Sequence, residues 1–375
     1  MKVRVLKTID QTVGKALCLL VGLLDSLFEL TSKEISIPRK PSKILFIRPG
    51  GMGDFLYLLP AIAMVKRRFP AAALHIMCEK RNGQAAYLSD LVDDIFCYDD
   101  DTLRTITALL KGKYDIVIDS EQYHHLSALF GYVTGAKIRI GFKSNPSRNH
   151  CYTHLVNYSL DGQEAGEFMR LLEPLGISDR EISFPDIVST AAIEKTLLRD
   201  DFSVLREKFK IVTIVSPRGG AKYRRWSSGR YADVISHLTR NPDMAVVIVG
   251  GKTESGIAER IMSRFSDSKG QVLLLVEKTS FLELCGILKK SDLFFGCDSG
   301  AAVLAVLLGV PSITLFGSAD EKKWGYAGDN HLIVRENLPC SPCQVLGKFK
   351  ACRNIDCMEK ITSHKVISAI QSLGF

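Results

Sequence analysis

KILFIRPGGMGDFLYLLPAI, Lys43 to Ile62, is the stretch on which the fold turns. Its apolar run "ILFI" reads as a buried strand. Gly50, Gly51 and Gly53 crowd a turn, and apolar residues then recur at the density of a helix near Phe55 to Phe69. Strand, glycine turn and helix form the opening unit of a doubly wound α/β sheet. The glycines let a ligand approach the backbone closely, beside Arg48 and a lone carboxylate, Asp54. Asp54 is a natural N-cap for the helix, and it is also placed to act as a general base.

Working outward, the same alternation continues. "ALHIMCE", "DIFCYD" and "YDIVIDS" read as further strands, with helical patterns between most of them. Residues 153–203 are polar and loop-rich, and then a second series begins. Its strands are "KIVTIVSP", "MAVVIVGG", "QVLLLVE", "DLFFGCDSG" and "PSITLFGS". Two α/β series of similar size predict two Rossmann-like domains facing a cleft, at 41–200 and 201–375, behind an N-terminal segment of residues 1–40. Ligands in such sheets bind at the carboxyl ends of the strands.

The second series carries two further chemical stretches. In "GCDSGAAVLAVLLG", Asp298, Ser299 and Gly300 turn the chain into a short helix whose first N–H groups offer a phosphate seat. In "SPRGGAKYRRWSSGRY", Gly219 and Gly220 follow a strand and precede Lys222, Arg224 and Arg225, cations suited to a diphosphate leaving group. Neither glycine turn is a Walker A loop. Gly51-Met52-Gly53 begins a dinucleotide fingerprint, but Leu56 stands at the third glycine position. With Glu79 as a ribose ligand, a nicotinamide oxidoreductase is the rival enzyme reading. Asp99–Asp101 contain a D-x-D, read here as a solvated acidic turn.

Composition narrows the partners. Forty-nine Lys+Arg against 41 Asp+Glu give a charge of +8, which suits an anionic partner. No long basic run exists and aromatics are only 8%, so nucleic acid is not expected. Six of the ten cysteines lie mostly in apolar surroundings, as buried thiols of a reducing compartment do. The other four, Cys340, Cys343, Cys352 and Cys357, could close a structural zinc site, remain free thiols, or form one labile disulfide. "ALCLLVGLL", Ala16 to Leu24, is too short to span a bilayer, which takes about 20 residues. Lys2, Arg4, Lys7 and Lys15 lie before it, and the apolar pattern extends to Leu30. It reads as an amphipathic helix on a cytoplasmic leaflet or, equally, as a helix packed on its own protein.

Taken together, "IRPGGMGDFLYLLPAI", "RRWSSGRYADVI" and "DSGAAVLAVLLGVPSITLFG" resemble glycosyltransferase family 9, the bacterial heptosyltransferases of lipopolysaccharide core assembly. The resemblance implies a GT-B fold, with an acceptor domain followed by a nucleotide-sugar domain. It implies metal-independent, inverting transfer, with ADP-heptose as the usual donor, a lipid-linked glycan as acceptor, and no catalytic cofactor. By position, Asp54 matches the family's base, and Arg48, Gly51 and Gly53 line the acceptor side. Arg224 stands where many members have a lysine, and Asp298, Ser299 and Gly300 match the donor turn. Glu254 stands near a glutamate thought to face the ribose. Val303 replaces a common histidine, and an inactive transferase-fold scaffold at the membrane is the non-enzyme alternative. The resemblance also implies a cytoplasmic protein, peripheral on the inner membrane.

Overall fold

The structure is a computed structural model. It describes residues 8–28, 36–178, 187–189, 191–217, 222–265, 270–345, 348–349, 352 and 354–375. The chain divides into two compact units, residues 1–183 and 184–375.

The first unit is built on a six-stranded sheet. Its strands are β1 (Lys43–Arg48), β2 (Ala73–Cys78), β3 (Asp94–Cys97), β4 (Ile116–Asp119), β5 (Ile138–Phe142) and β6 (His154–Val156). All pair in parallel, in the order β3-β2-β1-β4-β5-β6. β1 is central, with Lys43–Arg48 in register with Ala73–Cys78 on one side and Ile44–Ile47 with Ile116–Asp119 on the other. Its residues from Ile44 onward are all buried, because helices cover both faces of a parallel sheet. Strand order reverses between β1 and β4, so a crevice opens at their carboxyl ends.

The second unit repeats the plan. β7 (Ile211–Ser216), β8 (Met244–Ile248), β9 (Val272–Leu274), β10 (Leu293–Cys297), β11 (Ser312–Phe316) and β12 (His331–Arg335) form a parallel sheet. Their order is β12-β11-β10-β7-β8-β9, which reverses between β7 and β10. Its core is aromatic beside that point. Trp226 is buried edge-on against Tyr231 and Phe295, and its indole N–H donates to the Ile361 carbonyl at 2.8 Å.

Three strands of these two sheets go beyond the sequence reading, as does a separate antiparallel pair, Gln344–Val345 with Lys348–Phe349. β6 and β12 are edge strands with one neighbour each, short and only partly buried, with polar residues at their ends. β5 carries Arg139 within its apolar alternation, and β6, only three residues long, falls inside the stretch read as loop. The helix expected from Phe55 begins earlier, as Met52–Arg68, because the glycine turn is its first turn.

The N-terminal segment packs on its own protein, as the second of its readings expects. A π-helical turn, Asp10–Gly14, leads into the helix Lys15–Phe28; residues 29–35, Leu30 among them, lie outside the described residues. One face packs inward, with Cys18 and Val21 clustering on Ala128, Cys151 and Tyr152. Gly22 is needed there, since a Cβ would meet His150 at 2.8 Å. Val13, Leu17, Leu20, Leu24 and Leu27 remain exposed at alternating spacings of four and three, a single stripe along the helix. No helix among the described residues is long and apolar enough to cross a membrane.

Candidate active site

Asp54 sits at the third position of its helix, behind an N-cap that is Gly51. Its Oδ2 accepts from the Gly51 N–H at 3.2 Å and lies 3.6 Å from Arg48 Nη2. A Cβ on Gly51 would come within 3.1 Å of that oxygen, and Gly50 has φ of +112°, so the turn requires both glycines. Asp54 therefore does cap its helix. Its side chain is nevertheless 30% exposed while Arg48 is 4% exposed, which leaves the carboxylate accessible and the cation fixed beneath it.

Arg48 crosses the reversal point. It ends β1, and its Nη1 donates to the Ser120 carbonyl just beyond β4 at 2.7 Å. The guanidinium packs over the Phe168 ring at 5.0 Å, and its buried Nε has no hydrogen-bond partner among the described residues. Burial works against the charge, but Asp54, Glu121, Glu164 and Asp119 around it raise its pKa above the ordinary arginine value.

Beneath lies an ionic floor. Arg148, fully buried, pairs with buried Asp119 at 2.9 Å and donates to the carbonyls of Glu121 and His124. The Tyr152 hydroxyl donates to the same Asp119 oxygen at 2.6 Å. Burial raises the Asp119 carboxyl despite these partners. Glu121 goes the other way: burial would raise it, yet Arg48, His124 and Arg148 hold it below the usual carboxylate range.

In the second unit, Arg224 and the D-S-G turn meet. Arg224 Nη1 lies 2.8 Å from Asp298 Oδ2, and its Nε donates to Gln344 Oε1 at 2.7 Å. Ser299 caps the helix Gly300–Leu307, its hydroxyl accepting from the Ala302 N–H at 3.4 Å. Three loops, after β10, β7 and β8, thus place Asp298, Arg224 and Glu254 at the carboxyl edge of three neighbouring strands. Glu254 closes its own turn, accepting from the Gly251 N–H at 3.0 Å and the Thr253 hydroxyl at 2.7 Å. Arg225 is exposed and Val303 is buried in the helix core. Lys222 opens a 3-10 turn that ends at Arg224; its side chain, Gly219 and Gly220 lie outside the described residues.

Other expectations resolve differently. Glu79 accepts from the Tyr98 hydroxyl at 2.9 Å and pairs with Arg81. Asp99, Asp100 and Asp101 are each engaged locally, by the Lys80 N–H, the Lys80 ammonium and the Arg104 N–H. All ten cysteines are free thiols. Burial pushes the Cys357 thiol up to about 11, and the sulfurs of Cys343, Cys352 and Cys340 nearby add to it. No group of three or more metal-ligating side chains stands together among the described residues. Cys340 is exposed, and the Cys352 thiol is turned onto the Asn354 carbonyl.

Sequence reading missed Asp119, Glu121, Arg148, Glu164 and Gln344. The first two were within reach: "IVIDSE" ends at the carboxyl edge of β4, beside β1 once the strand order is known. The others come from distant segments and carry no motif.

Against known proteins, the sequence model of Glycosyltransferase family 9 (heptosyltransferase) matches residues 102–352. The chain is 21% identical over 340 residues to lipooligosaccharide heptosyltransferase 2 of Campylobacter jejuni, covering 88% of this chain and 99% of that one. Among solved structures, a glycosyl transferase family 9 protein from Veillonella parvula superposes with a TM-score of 0.71 at 16% identity, over 91% of this chain and 99% of its own. The E. coli heptosyltransferase WaaC with ADP gives 0.67 at 17%, over 88% and 99%. These likenesses are of fold, and the fold is the GT-B type that the sequence led us to expect.

Proposed function

Because the chain belongs to glycosyltransferase family 9, we propose that it moves a heptose from ADP-heptose to a lipid-linked glycan of the lipopolysaccharide core, with inversion at the anomeric carbon. The observation that carries this reading is the pair of loaded reversal points. One presents an accessible carboxylate, Asp54, and the other a fixed guanidinium, Arg224, beside the helix-opening D-S-G turn.

The chemistry divides accordingly. Asp54 takes the acceptor hydroxyl proton as that oxygen attacks the anomeric carbon, with the Arg48 guanidinium fixed 3.6 Å from the carboxylate. The bond from the anomeric carbon to the donor phosphate breaks, and its electron pair leaves with ADP. Arg224, held in plane by Gln344 and Asp298, and the N–H groups opening helix Gly300–Leu307 stabilise the charge that develops there. Asp298 acts here by positioning Arg224. Glu254, in the turn after β8, is assigned to a ribose hydroxyl by its position in the family pattern. This assignment replaces the nicotinamide reading, in which Glu79 would have bound the ribose.

The exposed leucine stripe of helix Lys15–Phe28, preceded in sequence by Lys2, Arg4 and Lys7, supports seating on an anionic membrane surface, where a lipid-linked acceptor is concentrated. The test of the catalytic assignment is Asp54→Ala. Turnover should fall on the order of 100-fold or more, with ADP affinity unchanged; turnover within a few-fold of wild type would return Asp54 to being a cap.

A further inference from the structure

Two pairs of thiols stand at one separation in the first unit. Cys78 Sγ lies 3.8 Å from Cys97 Sγ, and Cys151 Sγ lies 3.8 Å from Cys18 Sγ. Their surroundings differ. Cys18 and Cys151 are both fully buried, in the cluster that seats the N-terminal helix. Asp10 ties that segment down as well, its Oδ1 accepting from the Leu126 N–H at 2.8 Å and so capping helix His125–Val133. Cys78 is fully buried too, but Cys97 is partly exposed.

The sheet itself builds the Cys78–Cys97 pair. The two residues end β2 and β3 and are in-register partners of that parallel pair. Neighbouring strands lie about 4.8 Å apart, inside the roughly 4.4–6.8 Å between Cα atoms that a disulfide bridges. The strand ends are pinned just beyond the thiols. The Tyr98 N–H donates to the Cys78 carbonyl at 3.2 Å, and the Tyr98 hydroxyl donates to Glu79 at 2.9 Å. Gly83 packs over both sulfurs, and a Cβ there would meet each of them at 3.0 Å.

The pair is chemically asymmetric. A hydrogen bond from the Cys78 thiol lowers the Cys97 pKa, and the Lys80 ammonium adds to this, although burial, Asp99 and Asp100 oppose it. Cys78 keeps its proton, because it donates that bond and because burial raises it further. The thiolate is the nucleophile toward an oxidant, and an accessible one beside a second thiol is the arrangement of a redox sensor. We propose that Cys97 and Cys78 form a reversible oxidation site, closed to a disulfide by a hydroperoxide, while Cys18 and Cys151 stay thiols. The Cys97 thiolate attacks one peroxide oxygen, the O–O bond breaks, and the other oxygen leaves as hydroxide. Cys97 is then a sulfenic acid. The Cys78 sulfur attacks that sulfur, the S–O bond breaks, and the departing hydroxide leaves as water with the Cys78 proton. The two sulfurs lose two electrons and the peroxide gains them. This chemistry is independent of sugar transfer.

The experiment treats the reduced, folded full chain with hydrogen peroxide, removes the excess with catalase, and then unfolds and alkylates the remaining thiols for peptide mapping by mass spectrometry. Cys78 and Cys97 should be lost together from the alkylated pool and appear as one cross-linked peptide pair, lighter by two hydrogens and separated again by dithiothreitol. Cys18 and Cys151 should be recovered alkylated. Cys78→Ser should leave Cys97 as a sulfenic acid that dimedone captures, and Cys97→Ser should leave Cys78 alkylated. Cooperative melting checks the fold of each variant, and the wild-type map decides the matter if a variant does not fold. Recovery of both Cys78 and Cys97 as alkylated thiols would overturn the proposal. So would cross-linking of Cys18 to Cys151 as fast as Cys78 to Cys97, since exposure of one sulfur would then decide nothing.

Discussion

The two reversal points share one topology and rest on opposite foundations. In the first unit, the turn after β1 stands on buried charge: Arg48, Asp119, Glu121, Glu164 and Arg148 are all under 9% exposed. In the second, the loops after β7 and β10 stand on Trp226, Tyr231, Phe295 and Cys297, an apolar cluster with few charges. Their aspartates differ to match. Asp54 is 30% exposed and 3.6 Å from its arginine, whereas Asp298 is 13% exposed and 2.8 Å from Arg224. A loosely paired carboxylate stays available to a proton, and a tightly paired one is spent on holding a cation. On the proposed reading, the same fold supplies a base on one sheet and a fixed positive charge on the other.

The foundations should break differently. Arg148→Met leaves Asp119 buried without its cation, takes one of the cations from Glu121, and should cost about 3–5 kcal/mol. Trp226→Ala should cost a similar 3–5 kcal/mol, through a cavity. Only the first loss should depend on pH. The folded pKa of Glu121 is depressed below its ordinary 4.5, so its stabilisation is fully present above pH 4.5 and lost as pH falls through the lower folded value. Losing Arg148 also raises the Asp119 carboxyl further, which costs stability only while that group is ionised. The gap between Arg148→Met and wild type should therefore narrow as pH falls, first through the raised Asp119 range and then through the lowered Glu121 range, while that for Trp226→Ala stays flat in denaturant titrations at each pH. A flat Arg148 gap would show that the floor acts by packing alone.

A smaller effect tests the second side. Arg224→Ala should weaken ADP binding by roughly 10- to 100-fold, the worth of one charged contact, measured by calorimetry. Smaller again, Asp10→Asn should cost about 0.5–2 kcal/mol as a lost cap, read as a lower melting temperature. A chain cut back to residue 41 would lose this cap and the packing of Cys18 and Val21, so it should melt lower than the full chain. Leu20→Glu with Leu24→Glu should leave stability within about 0.5 kcal/mol, since both side chains are exposed. Sedimentation with anionic liposomes should drop; equal sedimentation would discard the membrane seat.

Much of this could be read from sequence, for a physical reason. Central parallel strands are apolar on both faces, so "KILFI", "MAVVI" and "SITLF" announce themselves. The turns after β1, β7 and β10 hold Asp54, Arg224 and Asp298, so their motifs survive as contiguous residues. What stayed hidden is held by tertiary contact. Arg148 reaches Asp119 across 29 residues, Gln344 reaches Arg224 across 120, and Asp10 caps a helix 116 residues away. No spacing rule encodes such pairs. The edge strands β6 and β12 were missed because half-exposed strands carry the polar residues that loops also carry.

The claim that the two aspartates have parted roles is tested most directly by Asp54→Asn and Asp298→Asn measured side by side, for turnover at saturating donor and for ADP affinity. The account predicts that Asp54→Asn loses on the order of 100-fold in turnover with ADP affinity unchanged. Asp298→Asn should instead weaken ADP binding, about tenfold, and lose less turnover. The same pattern in both variants, or a loss of ADP affinity confined to Asp54→Asn, would contradict it.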